Sequence, residues 1–359
     1  MQVYPCGQCG HLVFFDSMHC VRCGSTLAFV PEAMALCALE PAAEDSTALW
    51  QERSPAPGPA RYRLCTHRDD GGGCNFALPA HSPHHLCLAC RQTRMLPPLA
   101  DPLLRQHWAR IEAAKRQLFY TLARLGLQST ADSARAQDSP RYALLADQPG
   151  EPAILTGHQG GTITLNVAEA DDVERARRRQ ALHEPYRTLL GHLRHESGHF
   201  YWDRLVQQGG RLEDFRTLFG DERRDYAAAL SAHYAGGPPP DWQEQHVSAY
   251  AAAHPWEDWA ETWAHYLHMV DLLETAAAYD TALQVPGSDG LLREQVANPF
   301  IRPAPPFDTL VRQWVPLTLL LNSLNRSLGQ PDAYPFALSA GALRKLRFVH
   351  DTVQQASSR

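Results

Sequence analysis

One pattern, H-E-x-x-H at residues 195–199, most constrains how this chain can fold, because it belongs on a helix beside a metal ion. His195 and His199 are four residues apart, so both imidazoles project from the same face of a helix and can reach one ion. Glu196 follows the first histidine, where it can lie beside the metal's open position and accept a proton from water. The pattern therefore predicts a zinc site on a helix, with Glu196 as general base.

The residues around this motif favour one long helix that packs into a core. Apolar side chains recur at helical spacing on both sides of the motif: Leu189, Leu190, Leu193, Phe200, Leu205 and Val206. Pro185 suits the start of the helix, and Gly209-Gly210 suits its end. Gly198 lowers helix stability within the motif, so either the segment with the third ligand approaches closely there or the glycine is simply tolerated.

A zinc site of this kind needs a third protein ligand, and the helix predicted to begin at Pro255 can supply it. Glu257 and Glu261 are four residues apart and share a face of that helix. One of them can bind the metal while the other orients a ligand histidine through a hydrogen bond. The two glutamates could exchange these roles. Asp221 or Glu222 is a further alternative ligand, although their segment is more typical of a solvated helix start.

The motifs H-E-x-G-H and E-x-x-A-E, with a tyrosine seven residues before the first glutamate, resemble the zincin metallopeptidases of the gluzincin type. From about Cys6 to past Leu273, the chain resembles a bacterial family of zinc-binding metallopeptidases with N-terminal zinc ribbons. The resemblance is carried by residues 87–91, 162–171, 195–203 and 255–267. It implies a reaction type rather than a particular substrate.

The resemblance also implies the roles of individual residues. Zinc would be bound by His195, His199 and Glu257, and Glu196 would be the base. Glu261 would not bind the metal itself but would orient a ligand histidine through a hydrogen bond.

Tyr250 would donate a hydrogen bond to the oxyanion that develops during hydrolysis, as this resemblance implies. The alternative for Tyr250 is a tyrosine at the edge of the core. His265, one helix turn beyond Glu261, is the other candidate donor, although a histidine there more often supports a ligand or packs in the core.

Eight of the nine cysteines form two groups of four, which favours two structural zinc ions. The first group has two C-x-x-C knuckles at the spacing of a zinc ribbon: Cys6, Cys9, Cys20 and Cys23. The second group has one knuckle preceded by two separate cysteines: Cys65, Cys74, Cys87 and Cys90. A histidine could replace one ligand of the second group: His67, His81, His84 or His85. With the catalytic ion, the expected total is three zinc ions per chain.

Disulfides are the alternative use of these cysteines, and they would require a secreted protein. The N-terminus lacks a basic region followed by an apolar run, so we do not expect a signal peptide. No uninterrupted apolar stretch approaches 18 residues, which argues against a membrane span. We therefore expect a cytoplasmic protein in which paired cysteines hold metal. Cys37 is left over and is most simply a buried small hydrophobe.

The predicted fold class is α+β, with N-terminal four-cysteine zinc ribbons followed by a mostly α-helical, zincin-like metallopeptidase domain that contains a small antiparallel sheet. The expected boundaries are 1–39 for the first zinc ribbon, 40–60 for a linker, 61–98 for the second four-cysteine zinc-binding module and 101–359 for the zincin-like domain. A helical stripe should run through Trp108, Ile111, Leu118, Leu122 and Leu125, ending at Gly126.

Three short runs in the middle of the chain favour strands, at residues 142–145, 153–156 and 162–167, with Gly160-Gly161 as a turn. In zincins an edge strand lines the cleft, so the run 162–167 could pair with an extended substrate. An ordinary core hairpin is the equal alternative. Farther along, helices should predominate, including one that ends at Gly329 and an amphipathic one from Ser339 to Gln355 on the outside.

The charge of the chain bears on its partners. The formal net charge is −6, and the first 100 residues carry seven arginines, no lysine and eight acidic residues, a net of −1. A nucleic-acid-binding ribbon is expected to carry a basic surface, so nucleic acid is not the expected partner. We expect a peptide or protein substrate, no membrane contact, and ribbons that dock on the catalytic domain or on a protein partner.

Three function classes follow from these residues. The leading hypothesis is a zinc metallopeptidase or amide hydrolase acting on peptide or isopeptide bonds, in which Glu196 activates water. The second is a zincin scaffold that has lost catalysis and binds a protein, but a purely structural zinc would not need Glu196. The third is a zinc-ribbon protein associated with nucleic acid, which the charge disfavours.

Overall fold

The computed structural model describes residues 2–42, 49–53, 60–133, 138–181, 188–284 and 294–357. The chain forms two compact units. The first consists of Met1–Arg124 and Gln128–Arg177, and the second of Leu125–Leu127 and Arg178–Arg359. Strands dominate the first unit and helices dominate the second, which confirms the α+β class.

Seven short strands begin the first unit: β1 Tyr4–Pro5, β2 Leu12–Val13, β3 Thr26–Val30, β4 Ala35–Pro41, β5 Trp50–Glu52, β6 Arg61–Leu64 and β7 Ala77–Pro79. Strands β1 and β2 form a hairpin, whereas β3 to β7 form an antiparallel sheet in chain order. A bridge between Phe29 and Phe76 brings the two ends of that sheet together. Alternate residues of β3 and β4 are buried on opposite faces, so the sheet has apolar cores on both sides.

The segment 40–60, which we expect to link the two ribbons, contains a strand of the five-stranded sheet. Strand β5 lies inside that segment and pairs on both sides, with Leu39 opposite Glu52 and Trp50 opposite Tyr62. The sequence does not predict this strand, because it has only three residues and its neighbours are rich in Pro, Ala and Ser. Residues 43–48 and 54–59 lie outside the described part of the chain. Backbone hydrogen bonds therefore join both cysteine groups to one sheet.

The rest of the first unit contains α1 Leu88–Arg91, β8 Thr93–Met95, α2 Pro102–Arg124, β9 Arg141–Leu145, β10 Gly157–Gln159, β11 Thr162–Asn166 and the beginning of α3 Asp172–Ala181. Helix α2 buries the predicted apolar stripe, and Gly126 beyond it has a left-handed φ of 75°. The compact first unit thus extends past residue 101, where we expected the second domain to begin, and the exact domain boundary stays a prediction.

A four-stranded sheet in the order β10-β11-β9-β8 decides one alternative and corrects one expectation. Strand β11 lies between β10 and β9, so residues 162–166 belong to the core hairpin and not to an edge strand. The run 153–156 is not a strand, and β10 follows it instead. The reason is the two-residue turn at Gly160 and Gly161, with φ of 56° and 77°, which pairs Gln159 with Thr162 and fixes the register. The sheet is mixed, because β9 pairs in parallel with both β8 and β11.

The second unit contains α4 Leu189–Tyr201, α5 Leu212–Phe219, α6 Tyr226–Gly236, α7 Pro255–Ala278, β12 Ala282–Leu283, β13 Glu294–Gln295, α8 Phe307–Ser327 and α9 Ala340–Ser357. Helix α7 packs against α4, α8 and α9. As predicted, α8 ends just before Gly329, which has a left-handed φ of 70°. In the described part of the chain, no helix has the length and apolarity needed to cross a bilayer.

Helix α9 is the predicted C-terminal amphipathic helix, with Arg344, Arg347 and Asp351 exposed along one face. Leu346, Val349 and Val353 are fully buried, and the helix packs along α7. Lys345 is also buried and donates to Asp258 of α7 at 2.5 Å. The apolar face of α9 is therefore part of the core that supports α7.

Candidate metal centre and zinc-ribbon sites

Helix α4 presents the two histidines, and a side chain fixes its beginning. The Thr188 hydroxyl accepts a hydrogen bond from the Gly191 N–H at 2.9 Å, which satisfies a free donor of the first turn. Pro185, where the helix was expected to begin, lies outside the described residues. Beyond α4, the helix continues in π geometry over Trp202–Gln207 and ends before Gly209-Gly210. Three of the six expected core residues are buried and the others half-buried; the buried ones are Leu193, Phe200 and Val206.

Gly198 lets α4 and α7 approach closely at the motif. A Cβ at this position would lie 2.9 Å from the Cα of Ala260, which is closer than side-chain carbons approach a backbone. The Trp259 indole donates to the Gly198 carbonyl at 2.8 Å, and the Trp263 indole donates to the Ser197 hydroxyl at 3.1 Å. These contacts explain the glycine by close packing, and they hold the two helices that carry the candidate ligands.

The side chains of His195, His199 and Glu257 converge, with their potential ligand atoms all within 4.8 Å of one another. The Nε2 atom of His195 lies 3.0 Å from Oε2 of Glu257, and Nε2 of His199 lies 3.6 Å from Oε1. Two nitrogen or oxygen ligands of one tetrahedral zinc ion lie roughly 3.3 Å apart, given bonds of about 2.0–2.1 Å. The donor types and spacings therefore fit a zinc ion.

Glu261 contacts the cluster from the other side of His195. Its Oε1 lies 2.6 Å from Nδ1 of that histidine, and its Oε2 accepts from the Ser248 hydroxyl at 2.6 Å. A carboxylate on Nδ1 fixes the orientation and tautomer of an imidazole whose Nε2 faces a metal. Glu261 is thus placed to orient His195, whereas Glu257 faces both Nε2 atoms.

Two alternative ligands lie elsewhere and are paired with arginines. Asp221 contacts the guanidinium of Arg223 at 2.8 Å. Glu222 is buried and accepts two hydrogen bonds from Arg216, at 2.6 and 3.0 Å. Neither carboxylate belongs to the cluster of His195, His199 and Glu257.

The electrostatics of the cluster favour ionised carboxylates. Burial alone would raise the pKa of Glu257, which is 1% exposed, but the neighbouring imidazoles and the Tyr226 hydroxyl lower this pKa to about 2. Burial lowers the pKa of His195, whereas its hydrogen bonds to Glu257 and Glu261 raise that pKa well above the usual value. A charged carboxylate held between imidazoles in this way is suited to bind a cation.

Glu196 is buried on α4 and lies near enough to Tyr226 for its charge to raise the pKa of that phenol. The Tyr250 ring lies 6.0 Å from the His195 ring, measured between centroids, so the structure brings Tyr250 beside the cluster. Burial and the charge of Glu257 raise the pKa of Tyr250. Its hydroxyl therefore keeps its proton at neutral pH and can donate a hydrogen bond.

Tyr226 is a residue of this site that the sequence did not indicate. It begins α6, and its hydroxyl donates to Oε1 of Glu257 at 2.7 Å while also lying within hydrogen-bonding reach of Tyr250. Partial burial of the phenol, followed by the charge of Glu257, raises its pKa, so this phenol is also protonated. Helix α6 has no fully buried residue, and therefore no hydrophobic periodicity marks it as part of the site.

His265 does not join the candidate ligands. Its Nδ1 lies 2.6 Å from the Tyr334 hydroxyl, and its ring packs edge-on against Phe336 at 4.5 Å. Burial lowers the pKa of His265 to about 4, so the imidazole is neutral. The structure thus favours a packing and hydrogen-bonding residue here over the alternative oxyanion donor.

The first cysteine group converges as the spacing predicts. The Sγ atoms of Cys6 and Cys23 lie 3.8 Å apart, and those of Cys9 and Cys20 lie 3.6 Å apart. Thiolates at about 2.3 Å from one tetrahedral zinc ion lie roughly 3.8 Å from each other, whereas a disulfide requires about 2.05 Å. The geometry therefore fits zinc and not disulfides.

The second group converges equally well, although its sequence spacing is looser. Sγ of Cys74 lies 3.7 Å from the sulfurs of both Cys87 and Cys90, and all four cysteines of the group are buried. The buried Arg116 supplies positive charge near Cys74. All four ligands are cysteines in this cluster, so none of the four alternative histidines is required. Cys37 is buried as expected, and burial raises the pKa of its thiol to about 12.

Comparisons with known proteins cover nearly the whole chain. A family model described as "Putative zinc-binding metallo-peptidase" matches residues 104–352, and one described as "zinc-ribbon domain" matches residues 3–101. Uncharacterized proteins of Mycobacterium bovis and Mycobacterium tuberculosis are each 39% identical to this chain, over 99% of it and 96% of the relative. No solved structure matches the chain.

Proposed function

Because the chain belongs to the zinc-binding metallo-peptidase family whose model matches residues 104–352, we propose that it is a zinc-dependent hydrolase of peptide or isopeptide bonds. The observation that carries the proposal is the convergence of His195, His199 and Glu257 next to the buried Glu196. A zinc ion bound there would polarise the scissile carbonyl and make water a stronger nucleophile.

We propose the following role for each residue of the site. His195, His199 and Glu257 hold the metal, and Glu261 fixes the imidazole of His195 through Nδ1. Glu196 accepts the proton of the attacking water and returns it to the leaving amine. The presence of this base favours an enzyme over a scaffold whose zinc is only structural.

We further propose that two tyrosines serve the site in different ways. Tyr226 holds Glu257 through its hydrogen bond to Oε1 and so positions that ligand. Tyr250 has a protonated hydroxyl beside the cluster and can donate to the oxyanion that develops on the substrate.

Each cysteine group would hold one structural zinc ion, giving three ions per chain with the catalytic one. Four thiolates leave no open position, and zinc binding would supply much of the folding free energy of this small sheet. None of the nine cysteines forms a disulfide, and we propose that the protein works in a reducing compartment such as the cytoplasm. Mild chelation should remove the catalytic ion first, because its site has no thiolates and one of its positions stays open.

Hydrolysis of a randomised peptide library, followed by mass spectrometry, tests the proposed function. The purified full-length protein should cleave a subset of the peptides. A chelator should stop cleavage, and added zinc should restore it while the protein stays folded. A zinc-loaded protein that cleaves neither the library nor isopeptide-linked peptides would favour the non-catalytic, protein-binding scaffold.

Replacement of Tyr226 by phenylalanine should weaken binding of the catalytic zinc by about 10–100-fold, the usual effect of removing a hydrogen-bond partner of a ligand. Competition with a chromogenic chelator measures this affinity. Tyr279→Phe is the matched control, because Tyr279 is 53% exposed just beyond the end of α7. Equal zinc affinities for Tyr226→Phe and the control would contradict the positioning role.

Replacement of Tyr250 by phenylalanine should instead lower kcat by about 10²-fold, with little change in KM or zinc content, if its hydroxyl is a full oxyanion donor. Steady-state kinetics on a cleaved library peptide, together with zinc analysis, measures both quantities. A loss of zinc without a selective loss of kcat would assign Tyr250 to ligand positioning.

A further inference from the structure

The chain contains only two lysines, Lys115 and Lys345, and both are buried, with exposed fractions of 0% and 5%. Arginine supplies every other permanently basic side chain. A lysine is seldom buried unless other groups pair with its charge. Lys115 donates to Glu112 at 2.8 Å inside the first unit. Lys345 lies in the second unit and pairs with the residue that follows the candidate ligand Glu257.

The Lys345 ammonium on α9 meets three groups. Its Nζ donates to Oδ2 of Asp258 on α7 at 2.5 Å and to the Gln245 carbonyl at 2.8 Å. Nδ1 of His246 lies 3.3 Å from the same Nζ and 3.1 Å from the same Oδ2. Because Asp258 is 1% exposed, water competes little for these bonds. The ammonium therefore ties the backbone at residues 245–246 to α7.

The first turn of α9 holds the same stretch of chain without charge. The Ser339 hydroxyl donates to the Glu244 carbonyl at 2.9 Å. A Cβ at Gly341 would lie 2.3 Å from that carbonyl oxygen, so glycine is needed for this close approach. The next residue, Ala342, packs with Val247 in a small buried cluster. The beginning of α9 therefore fixes this stretch through backbone, apolar and charged contacts together.

Two side chains reach the candidate metal centre from the stretch that α9 fixes. Ser248 donates to Oε2 of Glu261 at 2.6 Å. Tyr250 begins a short 3-10 helix, and its ring lies 6.0 Å from the His195 ring between centroids. We call residues 245–252 the anchored turn. Its position relative to α7 sets where both of these hydroxyl groups lie.

From these contacts we propose that Lys345 is a positioning residue for hydrolysis. Through Asp258 and the Gln245 carbonyl it fixes the anchored turn, and with it the Tyr250 hydroxyl, relative to the metal centre. The inference rests on the proposed function, because the oxyanion-donor role of Tyr250 belongs to that function. Such a donor acts over a narrow range of distances, and a misplacement of about 1 Å can lower the rate by about 10²-fold. A compact ammonium with three donors suits a point where three groups meet.

The first measurement is independent of hydrolysis. Lys345→Met alone would leave the buried Asp258 charge unpaired, so the main variant is Lys345→Met/Asp258→Asn, which removes both charges. Hydrogen exchange is followed by mass spectrometry on the zinc-loaded, full-length protein. Peptides of the anchored turn should exchange about 10-fold faster or more, while peptides of α4 keep the wild-type rate. Wild-type exchange in the anchored turn of a folded variant would overturn the proposal.

The other buried lysine provides the matched control. Lys115→Met/Glu112→Gln removes an equally buried ion pair in the first unit and should leave exchange in the anchored turn unchanged. The thermal midpoint of each variant shows whether it folds. If Lys345→Met/Asp258→Asn does not fold, His246→Phe replaces it, because it removes one contact of Asp258 and keeps the ion pair with Lys345. Exchange in the anchored turn should then rise by about 3-fold, and an unchanged rate would again overturn the proposal.

The second measurement separates positioning from a general structural effect. With zinc in excess, Lys345→Met/Asp258→Asn should lower kcat by about 10–100-fold and change KM little. The same two substitutions made in the Tyr250→Phe protein should lower kcat by less than about 3-fold, because the hydroxyl that they position is already absent. An undiminished loss of kcat in the Tyr250→Phe protein would show that Lys345 does not act through Tyr250 and would overturn the proposal.

The two hypotheses can fail separately. Faster exchange confined to the anchored turn, combined with no cleavage by the wild-type protein, would contradict the proposed function and support Lys345 as the residue that fixes this turn. Cleavage by the wild-type protein, combined with unchanged exchange or with additive losses of kcat, would support the proposed function and overturn the role of Lys345.

Discussion

Replacement of Glu196 by glutamine is expected to lower kcat/KM for any cleaved peptide by about 10³-fold or more, which corresponds to ~4 kcal/mol of lost transition-state stabilisation. The amide keeps the size and shape of the side chain but cannot accept the proton of the attacking water. Because Glu196 is not among the three converging ligands, the zinc content should be unchanged. Steady-state kinetics and elemental analysis of the same preparation measure both properties.

Asp203→Asn is a matched control for this substitution, since it also converts an acid to its amide in the π-helical segment that follows α4. It should retain nearly full activity. Equal activity of wild-type and Glu196→Gln proteins would exclude Glu196 as the general base. Loss of zinc from Glu196→Gln would instead make this residue a ligand.

Replacement of Glu257 by alanine is expected to have the largest effect on the metal itself. It removes the carboxylate that faces both Nε2 atoms, so only two protein ligands would remain. We expect the zinc affinity of this site to fall by well over 100-fold, while the zinc ions of the two cysteine groups remain. Glu261→Ala removes only the partner of His195 Nδ1 and should weaken binding by about 10–100-fold.

The comparison of these two variants shows which glutamate binds zinc and which one orients His195. Chelator competition with each purified variant gives the affinity of the most weakly bound zinc ion. If Glu261→Ala lost the ion while Glu257→Ala retained it at wild-type affinity, the two roles would be reversed.

Much of the candidate metal centre could be predicted because local chemistry determines it. The spacing of His195 and His199 and of Glu257 and Glu261 places each pair on one helix face, and the structure brings the two faces together. Close approach at Gly198 explains the one helix-breaking residue of the motif. Spacing alone could not separate the roles of the two glutamates, since that depends on which carboxylate faces Nε2.

Other features depended on tertiary packing and were predicted incompletely or not at all. Tyr226 reaches Glu257 from α6, a helix without buried residues, so its sequence carries no amphipathic signal. Strand β5 is only three residues long, and its pairing with β4 and β6 depends on partners rather than on its own pattern. The position of β11 between two other strands likewise depends on the parallel pairing with β9, which no short-range signal specifies.

The position of the third zinc ion tests the central claim most directly, because every proposed role in hydrolysis is defined relative to it. Anomalous diffraction measured on both sides of the zinc absorption edge, from crystals of protein purified without chelator, locates each ion. Three peaks are expected: one within each cysteine group, and one about 2.0–2.2 Å from Nε2 of His195, Nε2 of His199 and a carboxylate oxygen of Glu257. Two peaks confined to the cysteine groups, in crystals grown with added zinc, would contradict a metallopeptidase centre in this chain.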